Sequence, residues 1–135
     1  MAYKIIDIEG VGDVYAEKLI AAGIETVSQL LEKGKTPKGR KELEETTGIT
    51  GKLILTWVNH ADLFRVKGIG PQFSELLEAA GVDTVKELAT RRADNLAAKL
   101  LEVNEKQHRV RRVPTEKEVQ KMIEIAKELP AVVTY

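Results

Sequence analysis

The chain contains no cysteine, which excludes disulfides and thiolate metal sites and is compatible with a reducing compartment. Aromatic residues are scarce, at 4%, while Ala, Leu, Glu, Lys and Val are abundant. That balance favours helices over sheets. Excess charge of either sign is also missing: 21 Lys and Arg stand against 21 Asp and Glu. A dedicated nucleic-acid binder usually carries a positive excess, so any electrostatic binding here has to come from local patches. No window approaches 18 apolar residues, and Met1-Ala2-Tyr3-Lys4-Ile5-Ile6-Asp7 has no long apolar run. The expectation is a cytoplasmic protein with no membrane partner. The two histidines, His60 and His108, have no partner at metal spacing, so neither a metal nor a cofactor is expected.

What is present is a repeat. Ile8-Glu9-Gly10-Val11-Gly12-Asp13 is echoed by Val66-Lys67-Gly68-Ile69-Gly70-Pro71. Lys18-Leu19-Ile20-Ala21-Ala22-Gly23-Ile24-Glu25-Thr26-Val27 is echoed by Leu76-Leu77-Glu78-Ala79-Ala80-Gly81-Val82-Asp83-Thr84-Val85. Gly68 minus Gly10, Gly81 minus Gly23 and Thr84 minus Thr26 all give 58. A register held across three landmarks predicts an internal duplication. The predicted fold is all-α: two tandem units, 1–65 and 66–135, of about five short helices each, packed as one compact body. A unit of about 60 residues would be marginal alone.

Each Gly-apolar-Gly turn opens an amphipathic helix. Ala16, Leu19 and Ile20 form the inner face of the first, and Gly23 ends it. Thr26 caps a second, with Val27, Leu30 and Leu31 inside, and Gly34 stops it. Lys35-Thr36-Pro37-Lys38-Gly39 reads as a basic surface loop before a helix over 40–46. Thr47-Gly48-Ile49-Thr50 is a weaker turn leading a strong helix over 52–64, whose inner face is Leu53, Ile54, Trp57, Val58 and Ala61. In the second half, Phe73, Leu76 and Leu77 face inward, and Thr84 caps a helix with Val85 and Leu88 inside. A helix over 94–103 buries Leu96, Leu100 and Leu101. The second half then departs from the first: where a Gly turn is due it has 105–113, rich in arginine. Thr115 and Glu118 stand at capping-box spacing before a long last helix with Val119, Met122, Ile123 and Ala126 inside. Residues 131–135 form a short apolar tail, docked or frayed.

A Gly-apolar-Gly turn at a helix start leaves backbone N–H groups pointing one way, which suits an anion. Val11 or Ile69, between the glycines, tucks into the core. The two turns resemble helix-hairpin-helix motifs. The longer text, through Thr47-Gly48-Ile49-Thr50 and the following helix, is similar to the tandem hairpin domain at the N-terminus of archaeal and eukaryotic RecA-like recombinases. A related domain ends the RNA polymerase alpha subunit. Over about residues 5 to 129, the chain most resembles an uncharacterised prokaryotic family of tandem helix-hairpin-helix proteins, a domain of unknown function.

The resemblance implies that hairpin amides hold a DNA phosphate across the minor groove without reading sequence. Carried over by position, Gly68, Ile69 and Gly70 would supply amides and Lys67 a nearby charge. Gly10, Val11 and Gly12 would do the same in the first half, but Glu9, Asp13 and Glu17 there would repel a phosphate. Gly48 belongs to a degenerate third hairpin.

The basic runs are Lys33, Lys35, Lys38, Arg40 and Lys41, then Lys106, Arg109, Arg111 and Arg112, with Arg91 and Arg92 between. Such runs are usually solvated faces, but Arg109, Arg111 and Arg112 fill the place of a lost hairpin and could substitute side chains for amides. Lys35, Lys38 and Arg40 are secondary candidates. Gly34-Lys35-Thr36 is not a P-loop ending, because Gln29 stands where its first glycine would be. Gly68-x-Gly70 lacks the third glycine of a dinucleotide fingerprint, with Phe73 in its place. No nucleophile stands with a base, so no enzyme is expected. Two readings remain. One is a module gripping double-stranded DNA through its backbone, weakly and with strong salt sensitivity. The other is a protein-interaction adaptor on a hairpin scaffold that has lost DNA.

Overall fold

The computed structural model describes residues 3–135 and is all-helical. Eight α-helices follow a short 3₁₀ turn at Ile5–Asp7: α1 (Gly12–Ala21), α2 (Val27–Gly34), α3 (Pro37–Thr47), α4 (Gly51–Leu63), α5 (Pro71–Ala79), α6 (Val85–Ala89), α7 (Ala93–Gln107) and α8 (Glu116–Glu128). No strand occurs among the described residues beyond an isolated bridge between Lys4 and Thr26. None of these helices is long and apolar enough to cross a membrane.

The chain divides into two units. One runs up to Asp62 and includes Ala131–Tyr135; the other is Leu63–Pro130. The division falls three residues before the expected one, and the tail belongs with the first unit rather than the second.

In the first unit, Leu19, Leu30, Leu43, Ile54, Trp57 and Val58 are all buried. Tyr15 meets Trp57 edge-on, with ring centroids 5.2 Å apart. The apolar lead-in is held by the Ile5 N–H donating to the Glu25 carbonyl and the Val27 N–H donating to the Tyr3 carbonyl, each at 2.9 Å. Ile20 does not share the inner face of α1. It sits at the stripe's edge and is 48% exposed.

The expected basic loop over 35–39 is a helix corner. Thr36 Oγ1 accepts the Gly39 N–H, Pro37 occupies the first helical position, and α3 begins there. Gly39 is needed for close approach: a Cβ at this position would lie 1.9 Å from the Lys33 carbonyl oxygen. The tail docks beside this corner. The Thr134 N–H donates to the Lys35 carbonyl (2.8 Å), and the Tyr135 hydroxyl donates to Asn59 Oδ1 (2.8 Å).

The second unit is built on Leu63, Val66, Ile69, Phe73, Leu76, Leu77, Leu88, Leu96, Leu100, Val119 and Ile123. Within it α8 packs on α6 and α7, and α7 on α5. Leu101 is 53% exposed and leaves the predicted stripe to Leu96, Leu100 and Val103. The capping box at α8 forms as the spacing predicts: Thr115 Oγ1 accepts the Glu118 N–H, and the Glu118 carboxylate accepts the Thr115 N–H. Hydrogen bonds also recur at positions 58 apart. The Ile24 N–H donates to Leu19 and the Val82 N–H to Leu77, both at 2.8 Å.

Leu100→Ala should cost about 2–5 kcal/mol in urea unfolding, as a buried leucine does. Leu101→Ala should cost under about 0.5 kcal/mol. Gly39→Ala, which forces a methyl against a backbone carbonyl, should cost about 1–3 kcal/mol.

Candidate functional site

The turn before α5 is built from local hydrogen bonds. The Val66 N–H donates to the Leu63 carbonyl (3.0 Å) and the Ile69 N–H to the Val66 carbonyl (3.1 Å). Gly68 takes φ +97°, which favours glycine, and Ile69 is 3% exposed, anchoring the turn in the core. Gly70 is extended and Pro71 opens the helix. The Ile69 amide, expected to face a ligand, is therefore spent inside the turn. The amides of Gly68 and Gly70 find no acceptor among the described residues, and Gln72 adds a third from the first helical turn. No side chain caps α5. Lys67 is exposed and makes no ion pair among the described residues.

The turn before α1 is similar. The Val11 N–H donates to the Ile8 carbonyl (3.1 Å), and Gly10 has φ +90°. It differs at the last glycine: Gly12 is left-handed at φ +65° and already helical. No side chain caps α1 either. A cleft of about 350 Å³ lined by Ile6, Asp7, Ile8, Glu9, Gly10 and Gly12 lies beside it.

Each of the remaining helix starts has a side chain bonded to one of its first amides. Thr26, Thr36, Thr84 and Thr115 each accept an N–H in the first turn of α2, α3, α6 and α8. Asp94 accepts from the Asn95 N–H in α7. At α4, the Glu44 carboxylate accepts the Gly51 N–H. In the Thr47–Thr50 turn the amides of Gly48 and Ile49 are already bonded. The Gly48 N–H closes α3 on the Glu44 carbonyl (2.9 Å), and the Ile49 N–H donates to Thr47 Oγ1 (3.2 Å).

Of the arginine run, one member is open. Arg109 is paired with Glu75 on α5, and its Nε donates to Gln107. Arg112 forms a two-pronged pair with Glu118 at 2.8 and 2.9 Å. Arg111 is exposed and has no ion pair among the described residues. Sequence reasoning missed what shapes this segment. His108 supplies the left-handed residue, φ 51°, that ends α7 without a glycine. Asn104 then clamps Val110 with both ends of its amide, at 2.9 and 3.0 Å.

Among the secondary candidates, Arg40 is withdrawn from any ligand. It is 8% exposed, donates to the Gly34 carbonyl (2.8 Å) and the Thr134 carbonyl (2.7 Å), and lies over the Tyr135 ring. Lys35 is paired with Glu32. Lys38 is exposed without an ion pair among the described residues. Those residues hold no group of three His, Cys, Asp or Glu placed for a metal.

A family model described as "Domain of unknown function (DUF4332)" matches residues 9–129. The chain belongs to this family. Comparison with curated proteins and with solved structures returns no match.

The Arg112–Glu118 pair carries a pH signature. The Arg112 hydrogen bonds, and after them the Thr115 N–H, hold the Glu118 carboxyl down at about 2. An unfolded glutamate titrates near about 4.3. The contribution is therefore complete above that value and is lost as pH falls through about 2. Amide protection at the start of α8, taken against the intrinsic exchange rate at each pH, should fall across this acid range, and Glu118→Gln should flatten that fall.

Proposed function

We propose that this protein binds DNA through its phosphate backbone, using the Gly68–Gly70 turn as a helix-hairpin-helix contact. One observation carries the reading. The helices led by Gly-apolar-Gly turns, α1 and α5, are those with no side chain on their first amides, and of the two only α5 has a lysine beside its turn. Oriented amides, the positive helix end and Lys67 together suit a phosphate oxygen. The resemblance to tandem hairpin domains of RecA-like recombinases points the same way. Arg111 is the side chain best able to add a second phosphate contact. Arg109 and Arg112 are neutralised by Glu75 and Glu118 and serve to shape the segment. A second reading, a protein adaptor, is favoured by the acidic Gly10–Gly12 turn.

The test is fluorescence anisotropy of a random-sequence duplex. With about two phosphates engaged, affinity should fall about tenfold between 50 and 200 mM salt. Lys67→Glu and Arg111→Glu should each weaken binding across all sequences. Arg112→Glu should weaken it less than either. Absence of binding at low salt would overturn the reading.

A further inference from the structure

The two Gly-apolar-Gly turns match in position and oppose in charge. Asp7 stands where Arg65 stands 58 residues later, and Glu9 where Lys67 does. Asp13 and Glu17 extend the acidic side along α1, so four carboxylates face two lysines between residues 4 and 18. Glu9, Asp13 and Glu17 are exposed and make no ion pair among the described residues. Among the described residues, Asp7 accepts only the Lys4 backbone N–H.

Exposed apolar residues stand among these carboxylates along the sequence. Ile6 is half-exposed at the cleft, and Val14 is 65% exposed. Val14, Glu17 and the exposed Ala21 fall at i, i+3 and i+7, along one outward line of α1. Three of the five large apolar side chains that stand exposed among the described residues, Ile6, Val14 and Ile20, lie in this short stretch. The molecule also contains an internal example of a carboxylate accepting a helix-start amide, in Glu44 with the Gly51 N–H at the start of α4.

We propose that the Gly10–Gly12 face docks on the Gly68–Gly70 turn of a second copy of this chain. Glu9 and Asp13 of one copy meet the open amides and Lys67 of the other, and the exposed apolar residues cover the contact. The two surfaces differ, so each copy carries both halves of the contact and offers one half to a neighbour. It is an exposed, charge-driven contact, weak and screened by salt. Where the second turn also takes DNA, which rests on the reading above, the acidic face occupies the phosphate position and competes with it.

The experiment is sedimentation velocity on the full chain, without DNA, at low and at physiological salt. Wild type should form larger species as concentration rises at low salt and be monomeric at physiological salt. Glu9→Lys alone and Lys67→Glu alone should each abolish the larger species. The two changes together in one chain should restore them. Circular dichroism verifies that each variant is folded. A single monomeric species at low salt overturns the proposal, as does association indifferent to either change or a double variant that stays monomeric. Anisotropy with the same proteins separates the two claims. Glu9→Lys should raise duplex affinity at low salt by about two- to fivefold. Duplex binding by a wild type that never self-associates sinks the docking and leaves the DNA reading standing. Self-association without duplex binding does the reverse.

Discussion

A helix begins with N–H groups that its own backbone cannot satisfy, and the organisation of this chain follows from how each start meets that constraint. Threonine answers it at α2, α3, α6 and α8, and a carboxylate answers it at α4 and α7. At α1 and α5 a glycine turn answers it only in part. One amide bonds back within the turn, Val11 to Ile8 and Ile69 to Val66, and the glycine amides beside it have no acceptor among the described residues. The buried Val11 and Ile69 hold these open starts in place. These two starts thus differ from the others in having no side chain bonded to their first amides.

Charge is distributed by the same economy. The chain is neutral overall, and most of its conspicuous cations are already committed: Arg109 to Glu75, Arg112 to Glu118, Lys33 to Glu42, Arg91 to Glu87 and Arg92 to Asp94. Such exposed pairs add little stability, but they remove positive potential from the surface. The field around the second turn rests on a few open side chains, and the field around the first is reversed. Two similar turns with opposite signs at positions 58 apart give the chain two different surfaces.

Legibility in the sequence followed the range of the interaction. The glycine turns, the Thr26, Thr84 and Thr115 caps and the buried stripes of α5 and α8 rest on spacings of three or four residues, and all were readable. The corner at Thr36–Gly39 was hidden by its lysines, which made a helix start look like a loop, and nothing local shows that Gly39 must clear a carbonyl of α2. Ile20 and Leu101 each extend an apolar series by one position, where helical geometry turns the side chain out of the core. The fates of Arg40, Arg109 and Arg112 were unreadable because their partners, Thr134, Glu75 and Glu118, lie elsewhere in the chain or across a turn. Within the candidate site, Lys67 and the glycines could be named from their motif. That the Ile69 amide is consumed, and that Asn104 shapes the arginine segment, depends on backbone geometry a motif does not encode.

The docking of residues 131–135 into the first unit has a consequence for how the protein is made. Arg40 is buried with one of its two carbonyl partners, that of Thr134, supplied by this segment. During synthesis that partner leaves the ribosome only after the whole of Leu63–Pro130 has emerged. The first unit to be translated therefore gains this contact only after the second has been translated. Strict domain-by-domain completion from the N-terminus is thereby ruled out for this contact, whose two sides are separated in the chain by the whole of the second unit.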